Sequence, residues 1–236
     1  MASRAVDRPI EKASEKSARR YDPTETRQRV LEAANELFSR NGFTKTGTAD
    51  IARAADVSEG SIFYHFGSKR ALLEELGRSY GELMIAAMQG EDELEDIDPG
   101  ISIRRCFRYC ETHQTWENLV HANSVDGTKA GMHGNPDAEP YYRASQQVVV
   151  DWVHRQYAAM AEKRGLDDLN VAVAARLTYG VVGDALDLAF SPDVSEAMRR
   201  EIEDETVRFV CAACGVECDA DRDGNRAGSQ VSNAPD

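Results

Sequence analysis

The chain has 236 residues, 42% hydrophobic and 29% charged, a balance that supplies one large or two modest buried cores and excludes a wholly disordered chain. Its net charge of −13 is unevenly placed: residues 1–80 hold 14 Lys and Arg against 12 Asp and Glu, the remainder 14 against 29. A near-neutral to basic head on an acidic body suits a protein whose N-terminal part approaches a polyanion, although a solvated acidic surface explains the body equally well.

In chain order, the opening MASRAVDRPIEKASEKSARR alternates bases and acids without an apolar run, so it is no secretory signal, and residues 1–21 are expected to be a disordered arm. Order is predicted to begin at Asp22, an N-cap followed by Pro23 at the first helical position and Glu25 where a capping box places its acid. Val30, Ala33, Ala34, Leu37 and Phe38 then share one helix face, and Asn41-Gly42 supplies a left-handed stop. Two shorter helices follow, one capped by Thr46 or Thr48 and burying Ile51, Ala52 and Ala55, the other capped by Ser58 and running to about His65. Ser68 caps a long helix striped by Leu72, Leu73, Leu76, Tyr80, Leu83, Met84 and Ala87, which ends at the acidic GEDELEDIDPG.

Beyond it the periodicity stays helical. Helices are predicted from Ile101 to about Val120, from about Tyr141 to Lys163, over residues 169–190 and from about Val194 to Ala213, with a glycine- and proline-rich loop at residues 126–140. The most apolar stretch, Val171 to Phe190, carries Arg176, Asp184 and Asp187, which a lipid-facing span would not tolerate. A cytoplasmic protein with no membrane partner is therefore expected. Residues 217–236 read as a disordered tail, and the odd set Cys106, Cys110, Cys211, Cys214 and Cys218, without an export signal, as reduced thiols.

Two short helices joined by a tight turn form a helix-turn-helix pattern, whose second helix enters a DNA major groove. Glu59, Gly60 and Ser61 are its leading end: Gly60 permits close approach, Ser61 donates or accepts, and Glu59 can accept from a cytosine amino group. Tyr64, His65 and Lys69 suit phosphate oxygens. Ile51, Val57, Ile62 and Phe66 are instead expected in the core.

The segment TADIARAADVSEGSIFYHFGSKRALL, preceded by LFSRNGFTKT, resembles the DNA-binding segment of the tetracycline-repressor-type regulators over residues 24 to 80. The resemblance implies an all-α homodimer: a three-helix DNA-binding head, residues 22–67, joined by a long helix to a larger effector-binding and dimerisation domain, residues 68–216. It also implies DNA contacts by Thr48, Glu59, Gly60, Ser61, Phe63, Tyr64, His65 and Lys69, which with Thr46 and Ser58 make the candidate set. Phe63 stands where the family often has a tyrosine. Asp56 replaces the usual turn glycine and is expected to hold the left-handed turn.

The resemblance further implies repression at a palindromic operator, release by a small-molecule effector, and pairing through the last two long helices. For the effector, His113, Trp116, Tyr141, Trp152 and Tyr179 offer walls and Asp184 an orienting carboxylate. A rival reading is a metal or thiol sensor using Cys106, Cys110 and His113, which share a helix face, or Cys211, Cys214 and Cys218; neither set alone makes the four ligands zinc takes. No nucleophile elbow, phosphate loop or zinc-protease motif is present, so no enzyme, cofactor or resident metal is expected.

Overall fold

The structure, a computed structural model, describes residues 22–112 and 137–217. Among the described residues it is all helical, with eight α-helices and one 3-10 turn: α1 (Pro23–Asn41), α2 (Thr48–Ala54), α3 (Glu59–Phe66), α4 (Lys69–Gln89), the 3-10 turn (Leu94–Asp96), α5 (Pro99–Thr112), α6 (Glu139–Arg164), α7 (Val171–Ala189) and α8 (Glu196–Ala213).

The helix ends follow local chemistry. The Asp22 carboxylate accepts from the backbone N–H of Thr24 at 2.8 Å and of Glu25 at 3.3 Å, and Pro23 takes the first position. Ser58 and Ser68 cap α3 and α4 by accepting from the N–H of Ser61 and Ala71. Gly42, Gly67, Gly90 and Gly165 all stop helices with positive φ. Asp56 takes φ 53 in the turn between α2 and α3, as expected of the residue standing in for glycine.

One expectation fails here. Gly47, not Thr46 or Thr48, is the N-cap of α2, and it brings no side-chain hydrogen bond. The Thr46 hydroxyl instead turns inward and donates to the carbonyls of Gly42 at 2.8 Å and Leu37 at 3.2 Å, satisfying groups the end of α1 leaves open.

Val30, Ala34 and Phe38 of α1 meet Ile51 of α2, Ile62 of α3 and Leu72 and Leu73 of α4 in a core without solvent exposure. Val57 and Phe66 pack against its edge. The first half of α4 thus belongs to the head. Its second half, through Met88, belongs to a separate core with α5 to α8, which includes Ile103, Phe107, Tyr157, Met160, Val207 and Val210. α4 and α6 come together backbone to backbone at Gly77 and Gly81. A Cβ on Gly77 would stand 2.2 Å from the Tyr141 carbonyl oxygen, and one on Gly81 3.1 Å from that of Ser145. Side chains are missing there because the facing helix fills their space.

α5 begins two residues earlier than predicted: the Asp98 carboxylate accepts from the N–H of Gly100 at 2.8 Å and of Ile101 at 3.2 Å, carrying the first turn back to Pro99. The predicted continuation of α5 to Val120 and most of the predicted loop lie outside the described residues. Although α7 is apolar nearly all round in sequence, only Ala175, Leu186 and Ala189 are buried. No described helix is long and apolar enough to cross a membrane.

Candidate nucleic-acid interface and effector cavity

α3 anchors itself through Ile62, which is fully buried, and Phe66, whose ring lies 5.4 Å from the Arg27 guanidinium. The opposite face is bare. Ser58, Glu59 and Gly60 are exposed, Phe63 is 49% exposed and Tyr64 79%. Large aromatic side chains left uncovered on a small head are a cost unless something else covers them. The Ser58 and Ser61 hydroxyls are 2.8 Å apart, so the cap also orients the side chain expected to reach base edges. The Thr48 hydroxyl donates to the Glu59 carboxylate, tying the N-termini of α2 and α3 together. His65 is half-buried, with the Tyr64 ring edge-on at 5.1 Å. A Cβ on Gly60 would meet nothing nearer than the Ser58 hydroxyl at 3.8 Å.

Thr48, Ser58, Glu59, Gly60, Ser61, Phe63, Tyr64 and His65 therefore sit together on the surface formed by α3 and the start of α2. Thr46 and Lys69 do not join them. Thr46 is 2% exposed and committed to the loop after α1. The Lys69 ammonium donates to the carbonyls of Phe43 at 2.8 Å and Thr46 at 3.0 Å and lies 4.1 Å from the Phe43 ring centroid. It braces the same loop rather than reaching outward, because the loop presents carbonyls to a cation at the start of α4. Over residues 22–80 there are eight Lys and Arg against nine Asp and Glu, so the basic surplus of the first 80 residues is carried by residues 1–21.

In the second core, α4, α5, α6 and α7 enclose about 700 Å³ of space between atoms, part of it open to solvent. Met84, Met88, Ile103, Val149, Val153 and Leu186 supply apolar wall. Polar groups are few and mostly engaged: the Trp152 indole donates to Gln89 Oε1 at 3.3 Å, and the Tyr157 and Thr178 hydroxyls are 3.0 Å apart. Gln156, 2% exposed, donates from Nε2 to the Ile97 carbonyl at 3.3 Å, which leaves its Oε1 as an acceptor on the cavity wall. Burial pushes the phenols of Tyr80 and Tyr157 above their ordinary value and that of Tyr179 up to about 12, so all three line the cavity as neutral groups. Among the described residues that line it, none is Lys, Arg, His, Asp or Glu.

Of the six effector candidates, Trp152 and Tyr179 line this cavity. Tyr141 does not. It is 4% exposed in the head core at the α4–α6 seam, where the bare Gly77 admits its backbone. Asp184 is on the exposed face of α7, turned away from the cavity. His113 and Trp116 lie outside the described residues. Sequence reasoning missed Met84, Met88, Ser102 and Gln156. Only Gln156 carried a signal, as an amide on the apolar stripe of Val149, Trp152, Val153 and Met160.

Among the described residues no three His, Cys, Asp or Glu side chains gather as a metal site. Cys106 lines the cavity, its thiol pushed up by the hydrogen bond with Cys110 and by burial, while that bond draws the Cys110 thiol down. Cys214 is, like Cys106 and Cys110, a free thiol. His113 and Cys218 are outside the described residues.

Residues 30–76 match the sequence profile of the bacterial regulatory proteins of the tetR family. The chain is 28% identical over 185 residues to the HTH-type transcriptional regulator UidR of Escherichia coli strain K12, covering 75% of this chain and 91% of that one. It is 38% identical over 77 residues to the HTH-type transcriptional regulator TtgR of Pseudomonas putida, covering 31% of this chain and 36% of the relative. In fold it is similar to Salmonella enterica GusR, with TM-score 0.61 and 21% identity over 83% of this chain and 98% of that one. It is also similar to FadR of Bacillus subtilis in complex with stearoyl-CoA, with TM-score 0.55 and 13% identity over 79% and 98%.

Proposed function

We propose that this chain, which belongs to the TetR family of bacterial regulatory proteins and is a DNA-binding transcription regulator rather than an enzyme, acts in the cytoplasm as a homodimeric repressor released from a palindromic operator by an uncharged small molecule. The observation that carries the reading is the bare face of α3, where exposed Phe63 and Tyr64 flank Gly60 and Ser61. Glu59, Gly60 and Ser61 meet base edges, while Thr48, Tyr64, His65 and the N-terminal amides of α2 meet phosphates. Residues 22–80 carry no net positive charge, so docking there depends on hydrogen bonds and shape more than on bulk attraction.

One short helix makes few base contacts, and a dimer doubles them on a two-fold operator. α7 and α8 expose Val173, Leu177, Leu188, Met198 and Phe209, an apolar surface suited to an isologous four-helix interface.

The cavity favours a mainly apolar effector that donates a hydrogen bond to Gln156, because no charged side chain is found among the described residues that line it. The stearoyl-CoA held by Bacillus subtilis FadR would bring phosphates for which this lining offers no cation. A ligand there bears on Tyr80, Met84 and Met88, and the helix that carries them continues into the head core as Leu72 and Leu73. Coupling of ~1–3 kcal/mol through α4 is enough to favour a head spacing that misses successive grooves.

The test is selection of genomic DNA by the purified protein at ~150 mM salt with excess competitor. A recovered two-fold motif, lost in Tyr64→Ala, is expected; a folded protein that selects nothing overturns the reading. With the motif in hand, apolar and charged compounds are screened for release, and Gln156→Leu should abolish release without altering DNA affinity.

A further inference from the structure

α7 keeps one face uncovered along its length: Val173, Arg176, Leu177, Gly180, Asp184 and Leu188 are all exposed. At ~100° per residue they fall within an arc of about 120°, with Gly180 inside it. Glycine inside a helix destabilises it relative to alanine and persists where something requires its bareness. For Gly77 and Gly81 that requirement is the backbone of α6. Gly180 differs: a Cβ there would meet nothing within 4 Å, and its φ is not in the left-handed range. Nothing among the described residues calls for a glycine at this position.

The charges on the stripe point to what does. Arg176 stands four residues before Gly180 and Asp184 four residues after, and neither has an ion-pair or hydrogen-bond partner among the described residues. When two copies of one helix cross antiparallel about a two-fold axis, residues at equal and opposite distances from the axis face each other. A parallel crossing would instead set Arg176 against Arg176 and Asp184 against Asp184.

Building on the dimer reading above, we propose that α7 crosses α7 of a second copy of this chain antiparallel at Gly180, with Arg176 of each subunit paired to Asp184 of the other. Gly180 lets the backbones approach at the axis, Leu177 and Val173 fill the seam on either side, and the two symmetric ion pairs set the register. A charge otherwise stranded on an apolar face becomes half of a pair.

Sedimentation equilibrium of the full chain tests this with reciprocal charge reversals. The wild type is expected to dimerise. Arg176→Glu and Asp184→Arg should each weaken the dimer at least about tenfold, and the double variant should recover most of the loss. Gly180→Leu should dissociate the dimer while leaving the subunit's helicity intact, since position 180 is exposed and a Cβ there meets nothing within 4 Å. Single reversals that dimerise like the wild type, or a folded double variant that recovers nothing, overturn the crossing while the dimer reading stands. A monomeric wild type overturns both.

Discussion

The head and the body of this molecule fill their interiors differently. In the head, Val30, Phe38, Ile51, Ile62, Leu72 and Leu73 close a core with no exposure, and the surface of interest is the outer face of α3. In the body, four helices stop short of closing and leave an apolar cavity at their centre. A tightly packed head holds one geometry of α3, whereas unfilled space in the body is where, on the proposed reading, a ligand would favour a second arrangement by supplying the missing contacts. α4 belongs to both, which is why packing in one region bears on position in the other.

The sharpest way to break this contrast is to cut into both cores. Phe38→Ala should cost ~3–5 kcal/mol and abolish DNA binding, while Val149→Ala, beside existing space, should cost clearly less; chemical denaturation measures both. Equal losses would show that the cavity is not spare room. Next in size is the seam. Gly77→Ala forces a Cβ against the Tyr141 carbonyl and should cost ~1–3 kcal/mol while changing the ligand response, whereas a variant as stable as the wild type would mean the helices separate freely.

A comparable or smaller effect separates bracing from reading within the head. Lys69→Met should lose ~1–2 kcal/mol of stability, because two loop carbonyls lose their donor, and should leave the salt dependence of DNA binding unchanged. Tyr64→Ala should do the reverse, weakening DNA binding with the denaturation midpoint intact. If Lys69→Met instead flattens the salt dependence at constant stability, its ammonium reaches phosphate.

The last prediction uses the buried phenols. Tyr80, Tyr157 and Tyr179 ionise later in the folded than in the unfolded chain, so their stabilisation is complete below pH 10 and falls as pH rises from 10 through 12. The loss approaches ~1 kcal/mol per group over the first unit above pH 10. Tyr141 and Tyr142 in the head core are held neutral by burial in the same way, so denaturant titrations at pH 9 and 11 should show both regions losing stability; a head left unchanged would show that its phenols ionise as freely folded as unfolded.

Legibility in the sequence divides along the same line. Asp22, Ser58, Ser68, Gly42 and Gly165 act on residues within a few positions, so helix ends and the head's inward face could be read directly. Thr46 and Lys69 could not, because their partners are carbonyls brought close only by the fold, up to 26 positions away for Lys69. The cavity was half legible. Trp152 and Tyr179 announced themselves as aromatics, but whether Asp184 faced inward depended on the rotation of α7, and a helix apolar nearly all round carries no phase.

Gly60 places two selective pressures in opposition. Because the free head has room for a methyl group there, alanine would improve the helix and raise the melting temperature of the isolated protein. If α3 enters the groove as proposed, the same methyl group would stand between it and the groove wall. On the proposed reading of α3, a screen for thermostability would therefore enrich Gly60→Ala and a screen for DNA binding would discard it.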